Sequence, residues 1–280
     1  MKRLLALHGV GSSSDILRVQ LNPVIRALEH EYEIVFFDGA FTRERGPGMA
    51  SHYPGPFYSY TTGYSPSDIR VALDDLDNMM QDCGPFDGVI GFSQGASLAA
   101  SYILDHQSRW FSPDAQYCLP MIEYLITEKY DAMSDFPDHI STKLPRQQQG
   151  FVDYLATTFN IARKIGATTP DYDIAFFKHR QADKVPRLLH PSLTEARIRM
   201  PTVHYTGERD HSAMVEQSLV VMSMCDRNTA RVFQHSGGHA VPAKPDEVKR
   251  LVRDIEWAAA ESSSQQALHR ALGVKPRSMF

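Results

Sequence analysis

The sequence predicts an α/β protein built on a mostly parallel sheet of about six strands, flanked by helices and interrupted by one helical insertion. Three observations carry that reading. Apolar runs of strand length alternate with stretches whose apolar residues recur at helical spacing. Glycine and proline punctuate the joints between them. Residues 108–171 break the rhythm: they hold aromatics from Trp110 to Phe159 and helix-like patches over 119–129 and 148–165, but no strand-like run.

Taken in order, RLLALH (3–8) reads as a buried strand running into the glycine turn HGVGSSS. Leu17, Leu21, Val24, Ile25 and Leu28 then share a helical face over 15–29, with Pro23 expected to mark a cap inside that stretch. EIVFFDG (33–39) is a second buried strand, followed by a Gly-, Pro- and Tyr-rich loop from Phe41 to Tyr64. Ser65 and Pro66 suit the N-cap and first position of a helix whose face is Ile69, Leu73, Leu76 and Met80, stopped by Gly84-Pro85. FDGVIGF is the third strand, and a helix follows Ser93 to about His106. YDIAFF (172–177), PTVHYTG (201–207) and ARVFQH (230–235) are three more strands, the last two separated by a helix over 212–225. Val248, Leu251, Val252 and Ile255 mark the last amphipathic helix, and the polar residues 261–280 are expected to fray. The expected division is a core of 1–107 and 172–262, an insertion of 108–171 and a tail of 263–280.

Composition narrows the function classes. The chain of 280 residues is 42% hydrophobic and 22% charged, enough to bury an ample core. A formal net charge of -4 and the lack of a basic stripe argue against nucleic acid as a partner. The 12 histidines are scattered, with neither HExxH nor CxxC, so no metal or other cofactor is expected. Cys83, Cys118 and Cys225 are far apart and read as reduced thiols. The apolar stretch in MKRLLALHGV is too short for a signal peptide or a membrane span, so the expected location is the cytoplasm, away from any membrane.

The chemistry centres on GFSQG (91–95). G-x-S-x-G between a strand and a helix is the nucleophile elbow of α/β-hydrolases, which predicts that fold, with 108–171 as its helical lid. Ser93 is forced into strained backbone angles, and Gly91 and Gly95 let strand and helix pass closely. A serine at its normal pKa needs a base, itself oriented by an acid, and in this fold both follow later strands in the order Ser, acid, His. Asp210 lies past PTVHYTG and His239 past ARVFQH, so these are the candidate acid and base. Glu208 is a rival acid; His204, His211 and His235 are rival bases, two of them inside strands. The oxyanion hole is expected from the backbone N–H of Gln94 and of Val10 in the HGVG turn, each donor contributing about 3 kcal/mol to lowering the barrier. A dinucleotide fingerprint in the same turn fails, because its third glycine would fall at Ser14 and Asp38 is badly spaced. His8 is either a pocket residue or a packed one.

Together, LHG near the N-terminus, YPGPFYSY, GPFDGVIGFSQGASLAA, PTVHYTGERD and the late GGH resemble the FSH-type serine hydrolases. That family includes the ovarian-cancer-gene-product-like esterases and many fungal cluster-encoded thioesterases. The resemblance covers residues 3–107 and 172–258. It implies an α/β-hydrolase core beginning at the oxyanion strand, the triad Ser93, Asp210 and His239, and an oxyanion hole at Val10 and Gln94. The sequence departs from the family in the length of the 108–171 insertion and in KHRQAD after YDIAFF.

The aromatic loop 41–64 and the aromatic insertion predict a pocket for a bulky acyl group, held as an ester or thioester. The expected substrate is a small-molecule or carrier-bound acyl group, with a polyketide synthase as candidate partner and a polyketide-type product released in fungal secondary metabolism. Two other readings compete: an acyltransferase using the same triad, and a non-catalytic ligand receptor on a hydrolase fold.

Overall fold

The computed structural model describes residues 1–46, 48–63, 66–111 and 195–272. β1 (Lys2–Leu7) is the centre of a parallel sheet, with β2 (Tyr32–Phe37) on one side and β5 (Gly88–Gly91) on the other. Leu4 pairs with Ile34 and Gly88, and Leu7 with Phe37 and Gly91. β6 (Thr202–Gly207) and β7 (Ala230–His235) form a second parallel pair, extended by a bridge between Ile198 and Cys225. The helices are α1 (Ser14–Leu28), α2 (Pro66–Cys83), α3 (Gln94–Phe111), α4 (Ser212–Ser223) and α5 (Pro245–Ala271).

Alternation along β1 builds two cores. Leu5 and Leu7 face Leu73 and Leu76 of α2 and Leu98 and Tyr102 of α3. Leu4 and Ala6 face Leu17, Leu21 and Val24 of α1 and Val248 of α5. Burial on both faces is why Leu4–Leu7 of β1 read as an unbroken apolar run. The connections after β1 and β5 therefore lead to opposite faces, and a crevice is expected where such connections part, at the carboxyl ends of the two strands. α5 is tied to β6 and β7 by Asp254, 2% exposed, which accepts from Tyr205 Oη (2.7 Å), Arg250 Nε (3.0 Å) and an Arg231 guanidinium nitrogen (3.2 Å). Those contacts hold its carboxyl below the usual range against the opposing effect of burial.

Five of the six expected strands are present; YDIAFF lies outside the described residues, as do 112–171 of the insertion and 273–280 of the tail. Four local expectations change. Pro23 lies inside α1, and the cap is Ser13, whose Oγ accepts from Ile16 N at 3.3 Å. The helix tolerates the proline because Pro23 is on its exposed face and the freed carbonyl belongs to Val19, 59% exposed, where water can satisfy it. The loop from Phe41 contains a short antiparallel pair, β3 (Phe41–Arg43) with β4 (Phe57–Ser59). Residues 261–271 continue α5 instead of fraying. Ser263 and Ser264 hydroxyls bond back to the Ala259 and Ala260 carbonyls, Gln265 Nε2 bonds to Glu261, and His269 and Arg270 complement the helix dipole in the last turn. α3 also runs past His106 to Phe111. Among the described residues, no helix is long and apolar enough to cross a membrane.

Candidate active site

β5 ends at Gly91 and α3 begins at Gln94, so the whole reversal falls on Phe92 and Ser93. Ser93 has φ 52°, in the left-handed region that costs a non-glycine residue about 1–3 kcal/mol. Its carbonyl is fixed by the N–H groups of Ala96 (3.0 Å) and Ser97 (3.2 Å). A Cβ on Gly91 would collide with the Ala96 backbone, and one on Gly95 with the Leu7 carbonyl. Gly95 N–H also donates to the carbonyls of Phe92 (2.9 Å) and His8 (3.1 Å), which draws the elbow against the end of β1.

The turn after β1 lies on the other side of Ser93. A Cβ on Gly9 would sit 3.2 Å from Ser93 Cβ. Gly11, with φ 64°, donates to the Tyr58 carbonyl at 2.8 Å and accepts from Gly46 N at 2.8 Å. Val10 lies in this turn, while Gln94 opens α3, where the first N–H groups have no intrahelical acceptor and the dipole favours negative charge. The two expected donor residues thus sit in the two backbone turns that meet at Ser93.

The loops after β6 and β7 are locked together. Glu208 N–H donates to the His235 carbonyl (2.7 Å), Arg209 N–H to the Gly237 carbonyl (2.8 Å) and Arg209 Nε to the Ser236 carbonyl (2.9 Å). A side chain at Gly207 would strike the Gly238 carbonyl. Ser236 N–H is held in turn by Glu247 in the first turn of α5, at 2.8 Å, and that bond is the chief cause holding the Glu247 carboxyl below its usual range. This lock brings Asp210 and His239 together: Nδ1 lies 2.9 Å from Asp210 Oδ2. With Nδ1–H donating, Nε2 of the neutral ring is left as an acceptor. Asp210 Oδ1 accepts from His211 N–H at 2.7 Å. The acid side chain is 8% exposed and the imidazole 38%. The His239 ring packs on Phe92, the residue before Ser93, with centroids 5.1 Å apart.

The rivals have other tasks. Glu208 is exposed, and it is Asp210 that reaches the imidazole. His8 is fully buried, with Nδ1 on the Gly9 carbonyl (2.7 Å) and Nε2 accepting from Gly39 N (3.1 Å). Because Nε2 accepts from Gly39 N–H it carries no proton, so its 3.6 Å approach to Asp38 is not an ion pair; burial lowers the pKa in the same sense. Asp38 instead grips Ser14 through both N–H (2.6 Å) and Oγ (2.8 Å). His235 is buried, accepts from Gly237 N at 3.1 Å and is lowered by burial. His204 is pushed down to about 4 by burial, with Nε2 3.1 Å from Thr202 Oγ1. Cys83 and Cys225 are free thiols. No group of His, Cys, Asp and Glu suited to a metal ion occurs among the described residues.

The depressed histidines give a pH prediction. Each binds its proton more readily in the unfolded chain, so stability is complete above the ordinary value of 6.5 and falls as pH drops toward 4. Urea unfolding of wild type and His204→Gln between pH 7 and pH 4 checks this. The variant is expected to lose less stability over that range, and identical slopes would refute a buried neutral His204.

Sequence reasoning missed the side-chain support of the elbow. Gln94 Nε2 donates to Ser59 Oγ (2.9 Å) and its Oε1 accepts from Tyr60 N (3.2 Å). The YSY triplet in the loop is the available signal, but its aromatic character by itself points only to pocket lining.

The family model described as serine hydrolase (FSH1) matches residues 1–118 and 150–251, well over half of the chain. Residues 119–149, inside the 108–171 insertion expected from the sequence, lie outside the match. Esterase alnB of Emericella nidulans is 35% identical over 281 residues, covering 95% of this chain and 99% of its own. Hydrolase FUB4 of Fusarium oxysporum f. sp. lycopersici is 30% identical, covering 88% and 94%. Serine hydrolase cnsH of Penicillium expansum is 26% identical, covering 77% and 95%. Among solved structures, alpha/beta hydrolase domain-containing protein 10 from mouse aligns with a TM-score of 0.46 at 15% identity, covering 91% of this chain and 88% of that one.

Proposed function

The chain belongs to the FSH1 family of serine hydrolases, and from that premise we propose that this serine esterase cleaves esters or thioesters of bulky acyl groups through an acyl-enzyme on Ser93. The observation that carries the reading is the 2.9 Å Asp210–His239 pair packed on Phe92, beside a serine held at φ 52°. His239 Nε2 takes the Ser93 proton as Oγ attacks the acyl carbonyl. Asp210 holds the tautomer that leaves Nε2 free and stabilises the imidazolium that forms. The oxyanion is received by the N–H groups of Val10 and Gln94. Collapse breaks the bond to the leaving alcohol or thiol, which takes the proton from His239, and water then hydrolyses the acyl-enzyme by the same route.

Phe41, Phe57 and Tyr58 on the β3–β4 pair, which contacts the turn after β1, support a bulky acyl group over a short one. The fungal sources of the esterase and hydrolase relatives support release of a polyketide-type product; a carrier-bound acyl chain as donor and the cytoplasm as location are part of the same proposal. Esters and thioesters of graded acyl size, assayed with and without an alcohol or amine acceptor, test this. The expected result is kcat/KM rising with acyl bulk and free acid as product in both conditions. Acyl groups recovered on the acceptor would make the protein an acyltransferase, and tight ligand binding without turnover would make it a receptor.

A further inference from the structure

The β1–β2 ladder is interrupted at its carboxyl end. Lys2 N–H donates to the Glu31 carbonyl at 2.8 Å, and the register from Lys2↔Tyr32 to Leu7↔Phe37 repeats that bond every second residue. The next in the series would run from His8 N–H to the Phe37 carbonyl. The Tyr60 hydroxyl occupies that place, accepting His8 N–H at 2.8 Å and donating to the Phe37 carbonyl at 2.8 Å. Because a phenol both donates and accepts, it can enter a ladder bond without leaving either backbone group unpaired. The two strands are held apart at the point where the chain leaves β1 for the Gly9–Val10–Gly11 turn.

The surroundings fix the wedge. Tyr60 is buried and stacks on His8, centroids 4.7 Å apart. Its N–H is held by Gln94 Oε1, while Gln94 Nε2 holds the preceding Ser59. Tyr58 accepts from Gly11 N–H and donates to the Ser12 carbonyl at 2.7 Å. Residues 58–60 thus grip the turn after β1, and the first residue of α3 grips residues 59 and 60.

We propose that Tyr60 is a positioning residue of the oxyanion site: its hydroxyl sets the spacing of β1 and β2 and so the placement of Val10 N–H opposite Ser93. The inference rests on Ser93 as nucleophile. Tyr60 acts through the turn and not on the reacting atoms. Donors aimed at developing charge lose effect when displaced by a fraction of an ångström. In Tyr60→Phe the ring stays and the hydroxyl goes. His8 N–H and the Phe37 carbonyl then either close on each other, pulling the turn toward β2, or stay unpaired; the turn loses its present seat in both cases.

The experiment compares wild type, Tyr60→Phe and Ser93→Ala on p-nitrophenyl butyrate, with inhibition by a trifluoromethyl ketone, whose serine adduct carries the oxyanion. Tyr60→Phe is expected to lower kcat about 10- to 100-fold with KM nearly unchanged and to weaken the ketone by the same factor. Its pH–rate profile should match wild type, because Asp210 and His239 are untouched. Unchanged kcat and ketone affinity in a folded variant would overturn the proposal, as would a rise in KM alone. An active Ser93→Ala would instead overturn the nucleophile assignment, and this proposal with it. If Tyr60→Phe does not fold, Gln94→Met removes the grip on residues 59 and 60 but keeps the backbone donor; it is expected to act in the same direction, and an unaltered kcat there would also overturn the proposal.

Discussion

Replacing Ser93 with alanine is expected to lower kcat by about 10⁶-fold while leaving the fold intact, and to abolish labelling by a fluorophosphonate probe. The size follows from the role. Without Oγ no acyl-enzyme forms, and what remains is substrate binding and the backbone donors acting on attack by water. Stability should hardly move, because alanine at φ 52° suffers the same backbone strain as serine. Ser93→Gly separates the two effects. It should be as inactive as the alanine variant but more stable, by about 1 kcal/mol, since glycine enters the left-handed region without cost. Steady-state kinetics and chemical denaturation of the three proteins check this, and equal labelling of wild type and Ser93→Ala would exclude Ser93 as the nucleophile.

Asp210→Asn is expected to lower kcat by about 10⁴-fold with little change in KM, although the side chain keeps its shape. The reason lies in the second oxygen of the acid. Asp210 Oδ1 accepts from His211 N–H at 2.7 Å while Oδ2 faces His239 Nδ1. In the variant the amide oxygen must stay on His211, because the amide nitrogen cannot accept, so the NH₂ group is turned toward Nδ1. Nδ1 then becomes the acceptor, and the ring proton moves to Nε2, the nitrogen that should receive the serine proton. Nitrogen-15 NMR of the imidazole should show the exchange of tautomers. Glu208→Gln is the control: its side chain is exposed, and activity should be unaltered. A large loss there with little loss in Asp210→Asn would reverse the assignment of the acid.

Much of this site is legible in the sequence because its geometry is local. GFSQG requires small residues two positions on either side of the serine, and the structure shows the Ala96 and Leu7 backbones that a Cβ would strike. The apolar runs marked the strands within a residue or two because the inner part of a strand such as β1, Leu4–Leu7, is covered on both faces and needs apolar side chains at each of those positions. Pro23 misled because the cap rule is local, whereas the tolerance of a proline inside α1 depends on which face of the helix meets water. The helical continuation to Ala271 was hidden because serines and glutamines read as fraying residues until their bonds to the preceding turn are seen.

By itself the sequence determined the order of five strands and the helices between them, the elbow at Ser93, and acid and base candidates placed just past two later strands. These follow from short-range sterics and hydrophobic periodicity, which act over a few residues and leave a pattern in composition. Only the tertiary structure decided that Asp210 and not Glu208 meets His239, that His8 is a packed neutral group, and that the Tyr60 hydroxyl interrupts the sheet beside the oxyanion turn. Each of these depends on hydrogen bonds between residues about 20 to 50 apart, such as the lock of Arg209 on Gly237 or the hold of Gln94 on Tyr60. Such bonds are set by how whole strands and helices pack, and no spacing rule within one segment encodes them.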